Sequence, residues 1–400
     1  MLTTKNLLPN AIKSALLITL LAPVAHSAFA DAGSAKVDFR LRHESVSQDN
    51  ALKDADALTL RTTLSYTTPS VGNFSGVVEF EDSRAVFGVD DYNNTLGMNT
   101  DYSVIADPET TELDQGFVQY SNAGFAAKVG RQVITLDNHR FVGHVGWRQD
   151  KQTFDAATLS YGGIDDLTMQ YSYITQRNRI FAEQRDLDSK DHLFNVGYKT
   201  SLGTLTGYGY LLDEDTGITK TYDTWGLRFA GKSAGETLSF LYTGEYATQS
   251  SEINGSEFDA DYYLLEGGVV FSGITAKVGY EVLGSDDGAY GFSTPLATLH
   301  KFNGWTDQFL GTPAQGLEDA YISLSGKLLS GSWLVAYHDF SANDGTADID
   351  DFGSEWDAQY TMAFAKHYSA GVKVGLYQSG DNATGKVDTD KVWFWLGAKF

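Results

Sequence analysis

Cationic and aromatic side chains are interleaved in residues 130–155 of an otherwise acidic sequence, which carries a formal net charge of −23. The residues that give this stretch its character are Arg131, Arg140, Arg148, Lys151, Phe141 and Trp147, with His139 and His144 among them. A guanidinium group forks onto a carboxylate, and an aromatic ring stacks on the face of a sugar ring. The combination indicates a contact surface for acidic sugars.

Further cations lie on polar faces of predicted strands. Arg40 and Arg42 share the polar face of residues 36–44, Arg61 that of residues 58–66, and Lys128 that of residues 125–132. If these strands enclose a pore, a ring of such cations lowers the barrier for negative solutes. We therefore predict an anion-selective, pore-lining set: Arg40, Arg42, Arg61, Lys128, Arg131, Arg140 and Arg148. The alternative is that each cation pairs with an acid on the same faces, such as Asp38, Glu79, Glu81, Glu245, Glu266 or Glu281.

The elements that would position these cations have a period of two. In residues 391–400, Val392, Phe394 and Leu396 alternate with Lys391 and Trp393, as in a strand with two different environments. About eighteen such strands can be counted, joined by alternating short turns and long acidic segments. This rhythm predicts an all-β fold, a transmembrane antiparallel β-barrel with short periplasmic turns and long extracellular loops. A soluble sandwich, the alternative, gives no reason for the alternation.

The N-terminal segment and the composition agree with an outer-membrane location. Residues 1–30 combine positive charge, a short apolar run and an Ala-Phe-Ala site, which predicts a secretory signal peptide. Residues 31–400 are then the barrel domain, in which 22 Tyr and 23 Phe suit the aromatic girdles of a membrane barrel. The sequence has no cysteine, so no lipid anchor, disulfide or thiolate metal site is expected.

Other classes of function are disfavoured. The acidic charge argues against nucleic acid as a partner, and neither a zinc-hydrolase HExxH motif nor a phosphate-binding loop occurs. We expect no enzyme activity and no cofactor. Asp344, Asp348 and Asp350 offer a weak alternative, a loop-bound Ca²⁺, although their spacing departs from the EF-hand pattern. The long segment 284–316 is expected either to fold over the mouth as a lid or to pack as an external cap.

Several short motifs resemble alginate-export-type outer-membrane proteins. They lie at residues 40–44, 56–63, 130–132, 136–138, 147–149, 153–155, 279–281 and 302–305. The resemblance implies an eighteen-stranded barrel that passes anionic polysaccharide or smaller anionic solutes, with Arg40, Arg42, Arg61, Arg131, Arg140 and Arg148 lining the constriction. The numerous lumen acids put a uniformly positive channel in doubt.

The expected partners are an anionic sugar or polysaccharide, outer-membrane lipid with lipopolysaccharide, and the outer-membrane assembly machinery. The last would act through the C-terminal strand, whose final Phe400 resembles the ending of bacterial barrels. Two alternatives remain open at this point: a general diffusion porin without sugar preference, and a surface protein that transports nothing.

Overall fold

Eighteen antiparallel strands form a single sheet in which each strand pairs with the next along the chain. The structure, a computed structural model, describes residues 33–233, 235 and 237–400; the predicted signal peptide lies outside them. The strands are β1 Ser34–Gln48, β2 Ala55–Thr67, β3 Phe74–Asp91, β4 Thr110–Asn122, β5 Phe125–Gln132, β6 Thr153–Ile164, β7 Leu167–Asn178, β8 Leu187–Lys199, β9 Thr204–Asp213, β10 Lys220–Lys232, β11 Leu238–Ile253, β12 Ser256–Phe271, β13 Ile274–Leu283, β14 Leu317–Leu328, β15 Gly331–Ser341, β16 Asp351–Phe364, β17 Tyr368–Gln378 and β18 Thr389–Lys399.

The helical content of the described residues consists of short 3₁₀ turns. These are Glu183–Arg185, Leu299–Lys301 and Asn382–Thr384. Within residues 33–400, leaving aside the two undescribed positions, we find no helix with the length and apolar content required to cross a bilayer.

The sheet closes on itself where the last strand meets the first. Strand β18 pairs with β1 from Asp38 opposite Lys399 to Gln48 opposite Thr389. Phe400 extends the seam, because its N–H donates to the Val37 carbonyl at 2.9 Å and its carbonyl accepts from the Val37 N–H at 3.0 Å. Closure leaves no open strand edge, which lipid could not satisfy with hydrogen bonds. The predicted transmembrane β-barrel is thereby confirmed.

The two faces of the strands have opposite chemistry. On the outer face, Leu64, Val78 and Phe394 are 52%, 44% and 50% exposed, as expected of side chains that meet lipid. On the inner face, Glu44 and Trp393 are almost fully buried. The predicted alternation therefore assigns inside and outside correctly for these residues of the first three strands and of the terminal strand.

Several strands run further outward than the sequence pattern predicts. The apolar alternation of Phe74, Val78 and Phe80 predicts a strand over residues 74–81, but β3 continues to Asp91, and the outer loop that follows it is correspondingly shorter. Half of the ten extra residues are polar or charged, and the others do not alternate with them. Ladder hydrogen bonds need no apolar face once the strand has left the hydrocarbon layer, so the apolar alternation stops before the strand does.

Two outer loops fold into the barrel, and the core of the protein lies between them and the barrel wall. We call them L3, residues 133–152 between β5 and β6, and L7, residues 284–316 between β13 and β14. They meet in a parallel bridge between Val142 and Leu296. L7 contains a small hairpin, Ser285–Asp286 with Tyr290–Gly291.

Aromatic packing explains why these loops turn inward. The ring of Phe141 in L3 lies 5.2 Å, between centroids, from both Tyr208 of β9 and Tyr262 of β12. In L7, Phe309 lies 4.6 Å from Phe340 of β15. These rings are at most a tenth exposed. Burial of large aromatic side chains is strongly favourable, so the loops pack on apolar surfaces of the lumen wall.

Candidate functional site

L3 is fixed in the lumen by a buried ion network that also holds L7. Arg148 of L3 donates to Glu44 of β1 at 3.0 Å and to Asp307 of L7 at 2.9 Å. Lys391 of β18 donates to the same Asp307 carboxylate at 2.8 Å. Arg42 of β1 completes the network through Glu44 and through Asp107 of the loop before β4. One cluster of charges thus ties three loops to the seam of the barrel.

A second arginine joins L3 to the opposite wall. Arg140 donates to Glu281 of β13 at 2.7 Å and to Asn303 of L7 at 3.1 Å. Its guanidinium lies 4.9 Å from the centre of the Phe302 ring. Arg140 and Arg148 therefore hold L3 from two sides, and each also contacts L7.

Trp147 of L3 is surrounded by aromatic rings and a cation. Its ring stacks on His300 of L7 with centroids 5.0 Å apart and an interplanar angle of 6°. Lys373 of β17 lies 4.5 Å from its centre, and Trp393 meets it edge-on at 5.7 Å. Lys373 also faces Trp305 of L7 at 3.7 Å. Cation–π contacts gain strength when the cation is desolvated, so this arrangement reinforces the ion network.

The hydrogen bonds of His300 define its protonation. Its Nε2 lies 2.7 Å from Lys373 Nζ and its Nδ1 lies 2.6 Å from Asp307 Oδ1. An ammonium group can only donate, so Nε2 accepts and Nδ1–H donates to the carboxylate. His300 is therefore neutral, and burial together with the charge of Lys373 lowers its pKa to about 3. Burial alone would raise the pKa of Asp307, but Lys391 foremost among its cationic neighbours holds it well below its ordinary value.

The seven predicted pore-lining cations take different positions. Arg42 and Arg140 are 1% exposed and Arg148 is 5% exposed, so a solute in the lumen would not reach their charged groups in this conformation. Their position differs from the expected one because carboxylates far away in sequence draw them into the loop–wall contacts. Anion selectivity itself stays a prediction.

The other four cations are partly exposed inside the barrel. Arg40 donates to the Gln149 side chain and to the Gly146 carbonyl, both at 2.9 Å. Arg61 pairs with Asp38 at 2.9 Å, and Arg131 pairs with Asp155 at 2.7 Å. The ε-ammonium of Lys128 lies 4.5 Å over the ring of Phe117 and takes part in none of the ion pairs that the described residues form.

Cavities lie beside the inner loops, and two of them are described by their lining residues. The first, of about 280 Å³, lies against β10–β16 and contains Lys301 of L7 with Lys277, Arg228 and four carboxylates, including Glu266 and Asp319. The second, of about 290 Å³, lies against β4–β7 under the first residues of L3.

Part of this site is predictable from the sequence. Glu44, Lys391 and Trp393 lie on strand faces that the pattern marks as inward, although their contacts with L3 were not expected. Asp307 was missed, because nothing in a long mixed loop distinguishes the one carboxylate that three cationic or imidazole groups surround. For the predicted Ca²⁺ alternative at residues 344–350, no group of three or more His, Asp or Glu in the described ranges is arranged to hold a metal ion.

The sequence matches one known family. The profile of the family described as alginate export aligns with residues 32–282, more than half of the chain. The search of curated proteins returned no match.

Solved structures share the whole architecture. OccK9 (OpdG) of Pseudomonas aeruginosa superposes with a TM-score of 0.73 and 12% identity, over 92% of this chain and 98% of that one. OccAB3 of Acinetobacter baumannii gives 0.72 and 14%, over 93% and 100%. OpdK of Pseudomonas aeruginosa, solved with vanillate, gives 0.71 and 13%, over 92% and 98%. At these identities the likeness establishes the fold.

Proposed function

Because the chain belongs to the alginate export family and forms a closed eighteen-stranded outer-membrane barrel of the porin type, we propose that it passes anionic oligo- or polysaccharides by passive diffusion. The barrel supplies the route through the outer membrane. We propose further that the solute is an acidic sugar and that cations in the lumen favour its passage.

The observation that carries the proposal is the state of two lysines. Lys128 and Lys301 each face one of the two lumen cavities, and neither belongs to an ion pair among the described residues. The ammonium of Lys301 donates to the Asn138 carbonyl at 2.7 Å, which leaves its charge uncompensated at contact distance. In a chain of net charge −23, a cation without a carboxylate partner is available to a negative solute.

The predicted cations then divide into two roles. Arg42, Arg140 and Arg148 hold L3 and L7 in place and so set the width of the passage. Arg40, Arg61, Arg131 and Lys128 are the proposed members of the pore-lining set that contribute positive potential to the lumen. The loop Arg residues thereby act on selectivity through the shape of the constriction rather than through contact.

Passive diffusion requires that attraction remain weak. A solute must enter favourably yet leave without an energy source, which a small number of cations distributed along the lumen permits. The nearby carboxylates, such as Glu79 and Glu266, limit the attraction and keep the lumen from trapping a polyanion.

Reversal potentials in planar bilayers across a potassium chloride gradient test the charge selectivity. We expect an anion-selective conductance that falls toward neutral in the double variant Lys128→Gln with Lys301→Gln. Lys190→Gln is the matched control, because Lys190 is exposed at the outer rim and pairs with Asp215. A cation-selective conductance that the double variant leaves unchanged would falsify the proposal.

Liposome swelling separates sugar preference from general diffusion. Faster swelling with glucuronate than with glucose, at equal osmolarity, supports the acidic-sugar channel; equal rates support a general diffusion porin. A small carboxylate as solute is a further alternative, favoured by the fold shared with OpdK, whose structure contains vanillate. Faster swelling with benzoate-type carboxylates than with glucuronate would favour this alternative.

A further inference from the structure

The cavity against β4–β7 has a composition that sets it apart from the rest of the lumen. Its lining comes from β4–β7 and from the start of L3, and Lys128 is its one charged residue. The other polar groups are amides and hydroxyls: Gln119, Gln132, Thr158, Ser160 and Gln170. No carboxylate lines it, although the chain contains 52 acidic residues. A neutral polar surface with a single cation suits a ligand that has several hydroxyls and one negative charge.

Strand register aligns these groups in rows. Gln119 of β4 is paired with Lys128 of β5, and Lys128 with Thr158 of β6. In the next inward-facing row, Ser160 of β6 is paired with Gln170 of β7. Adjacent strands lie about 4.8 Å apart, so polar groups recur across the wall at a spacing comparable to the width of one sugar ring.

Hydrogen-bonding capacity remains within these rows. The Gln119 and Gln170 amide nitrogens donate to Ser121 and Ser172, which leaves each amide oxygen as an acceptor for a ligand hydroxyl. The Gln132 amide nitrogen, by contrast, donates to the Gly130 and Ala156 carbonyls and helps to fix the strand edge under L3.

Lys128 provides the anion contact. Its ammonium rests over the Phe117 ring, which orients it without neutralising it. A carboxylate placed at the cavity end near Lys128 would gain a charge-assisted hydrogen bond, while the ring below preserves the cation's position.

The cavity against β10–β16 differs because several carboxylates line it. There Arg228 pairs with Glu245 at 2.7 Å and Lys277 pairs with Glu266 at 2.9 Å, and Glu281, Asp319 and Asp357 also line the space. A carboxylate ligand would meet those acids as well as the cations. The β4–β7 cavity, which no carboxylate lines, is therefore the better site for an acidic sugar.

We propose that the β4–β7 cavity is a subsite for one hexuronate unit, with the sugar carboxylate on Lys128 and ring hydroxyls on Gln119, Gln170 and Ser160. The inference rests on the proposed function and adds a location and a ligand of stated size. At about 290 Å³ the cavity lies just below the range of about 300–1,000 Å³ for ligand pockets, which fits a single unit.

Saturation-transfer NMR on the full-length barrel in detergent tests the subsite, with glucuronate, glucose and acetate as probes. Glucuronate should bind more tightly than either partial mimic, because only it meets both the cation and the amides. Lys128→Gln should weaken glucuronate by at least about tenfold, the loss expected for a hydrogen bond to a charged group. Gln170→Leu should weaken glucuronate by about threefold and leave acetate unchanged.

The matched control is Lys190→Gln, which removes an exposed cation at the outer rim and should leave glucuronate affinity unchanged. Heat-modifiable migration in gels confirms that each variant is folded. Equal glucuronate affinity in the wild type and Lys128→Gln, or no preference over glucose, overturns the subsite. If the wild-type channel is still anion-selective in bilayers, only the subsite fails; if it is cation-selective, the proposed function fails as well.

Discussion

Arg148 and Asp307 join the two loops that fold into the barrel, with Nη2 of the arginine 2.9 Å from Oδ2 of the aspartate. Both side chains are about 5% exposed. The Asp307 carboxylate also accepts a hydrogen bond from Lys391 on the closing strand, β18. The other terminal nitrogen of Arg148, Nη1, donates to Glu44 on β1. The pair therefore connects the constriction directly to the seam of the barrel.

Breaking this pair should loosen L3 and L7 together. Arg148→Gln leaves Asp307 and Glu44 buried with fewer partners, and loss of one member of a buried pair costs roughly 3–5 kcal/mol. We expect larger and noisier single-channel currents and faster protease cleavage within L3. Lys53→Gln breaks an exposed pair with Asp101 and should change neither quantity. If the single-channel currents of Arg148→Gln are as quiet as those of the wild type, the loops are held without this contact.

Trp147→Ala should have a similar effect through packing. The variant removes the stack on His300 and the cation–π contact with Lys373. Because Trp147 is only partly buried, we expect a cost below the value of about 3–5 kcal/mol for a fully buried aromatic side chain. The measurements are thermal unfolding and open-channel noise. Trp356→Ala, which alters a lipid-facing ring 55% exposed, is the control and should leave the noise unchanged. Equal noise in the two variants would argue against a role for Trp147 in holding L3.

Acidification should weaken the docking of L3. Burial, followed by the charges of His139 and other neighbouring cations, lowers the pKa of His144 from 6.5 to about 4. The docked loop therefore keeps His144 neutral where a detached loop would take up a proton. The contribution to docking is complete above pH 6.5 and is lost progressively as the pH falls toward 4.

Channel noise recorded between pH 7.5 and pH 4 measures this dependence. We expect noise to rise on acidification in the wild type and to rise less in His144→Gln. His300 acts in the same direction, so some dependence should remain in the variant. A steeper pH dependence in His144→Gln than in the wild type would contradict the assignment.

Removal of Phe400 should impair closure of the barrel. The residue makes two backbone hydrogen bonds with Val37, and its ring stacks on His367 at 5.2 Å. The loss of about 1 kcal/mol per hydrogen bond falls on the seam, where closure is completed. We expect a severalfold lower yield of folded barrel in the outer membrane. Phe364→Ala, at the periplasmic end of β16, is the control; an equal defect there would mean that the seam has no special role.

The strands were predictable because each carries its own signal. A period of two marks inside and outside residue by residue, as Phe394 and Trp393 illustrate, and no distant partner is needed to read it. Strand ends were less predictable, because β3 continues on backbone hydrogen bonding after its apolar face has ended.

The constriction could be predicted only as a composition. The sequence shows that residues 130–155 concentrate cations, but the burial of Arg148 depends on Glu44 and Asp307, which are more than a hundred residues away on either side. Pairing across such separations is decided by the closed barrel, which places the first strand, L3 and L7 side by side. The position of Lys128 was predicted more closely, because a strand residue takes its orientation from its own neighbours.

The wall of the β4–β7 cavity comes from residues 119–135 and 158–170, whereas the ion pairs that hold L3 join Arg140 and Arg148 to strands from other parts of the chain. The proposed recognition surface and the contacts that set the width of the opening therefore use different residues. Exchange of the cavity residues for those of a relative, with residues 136–152 kept, would change what the channel prefers while the width of its opening is retained. The same separation offers a practical route to barrels of altered preference, built without disturbing the join that seals them.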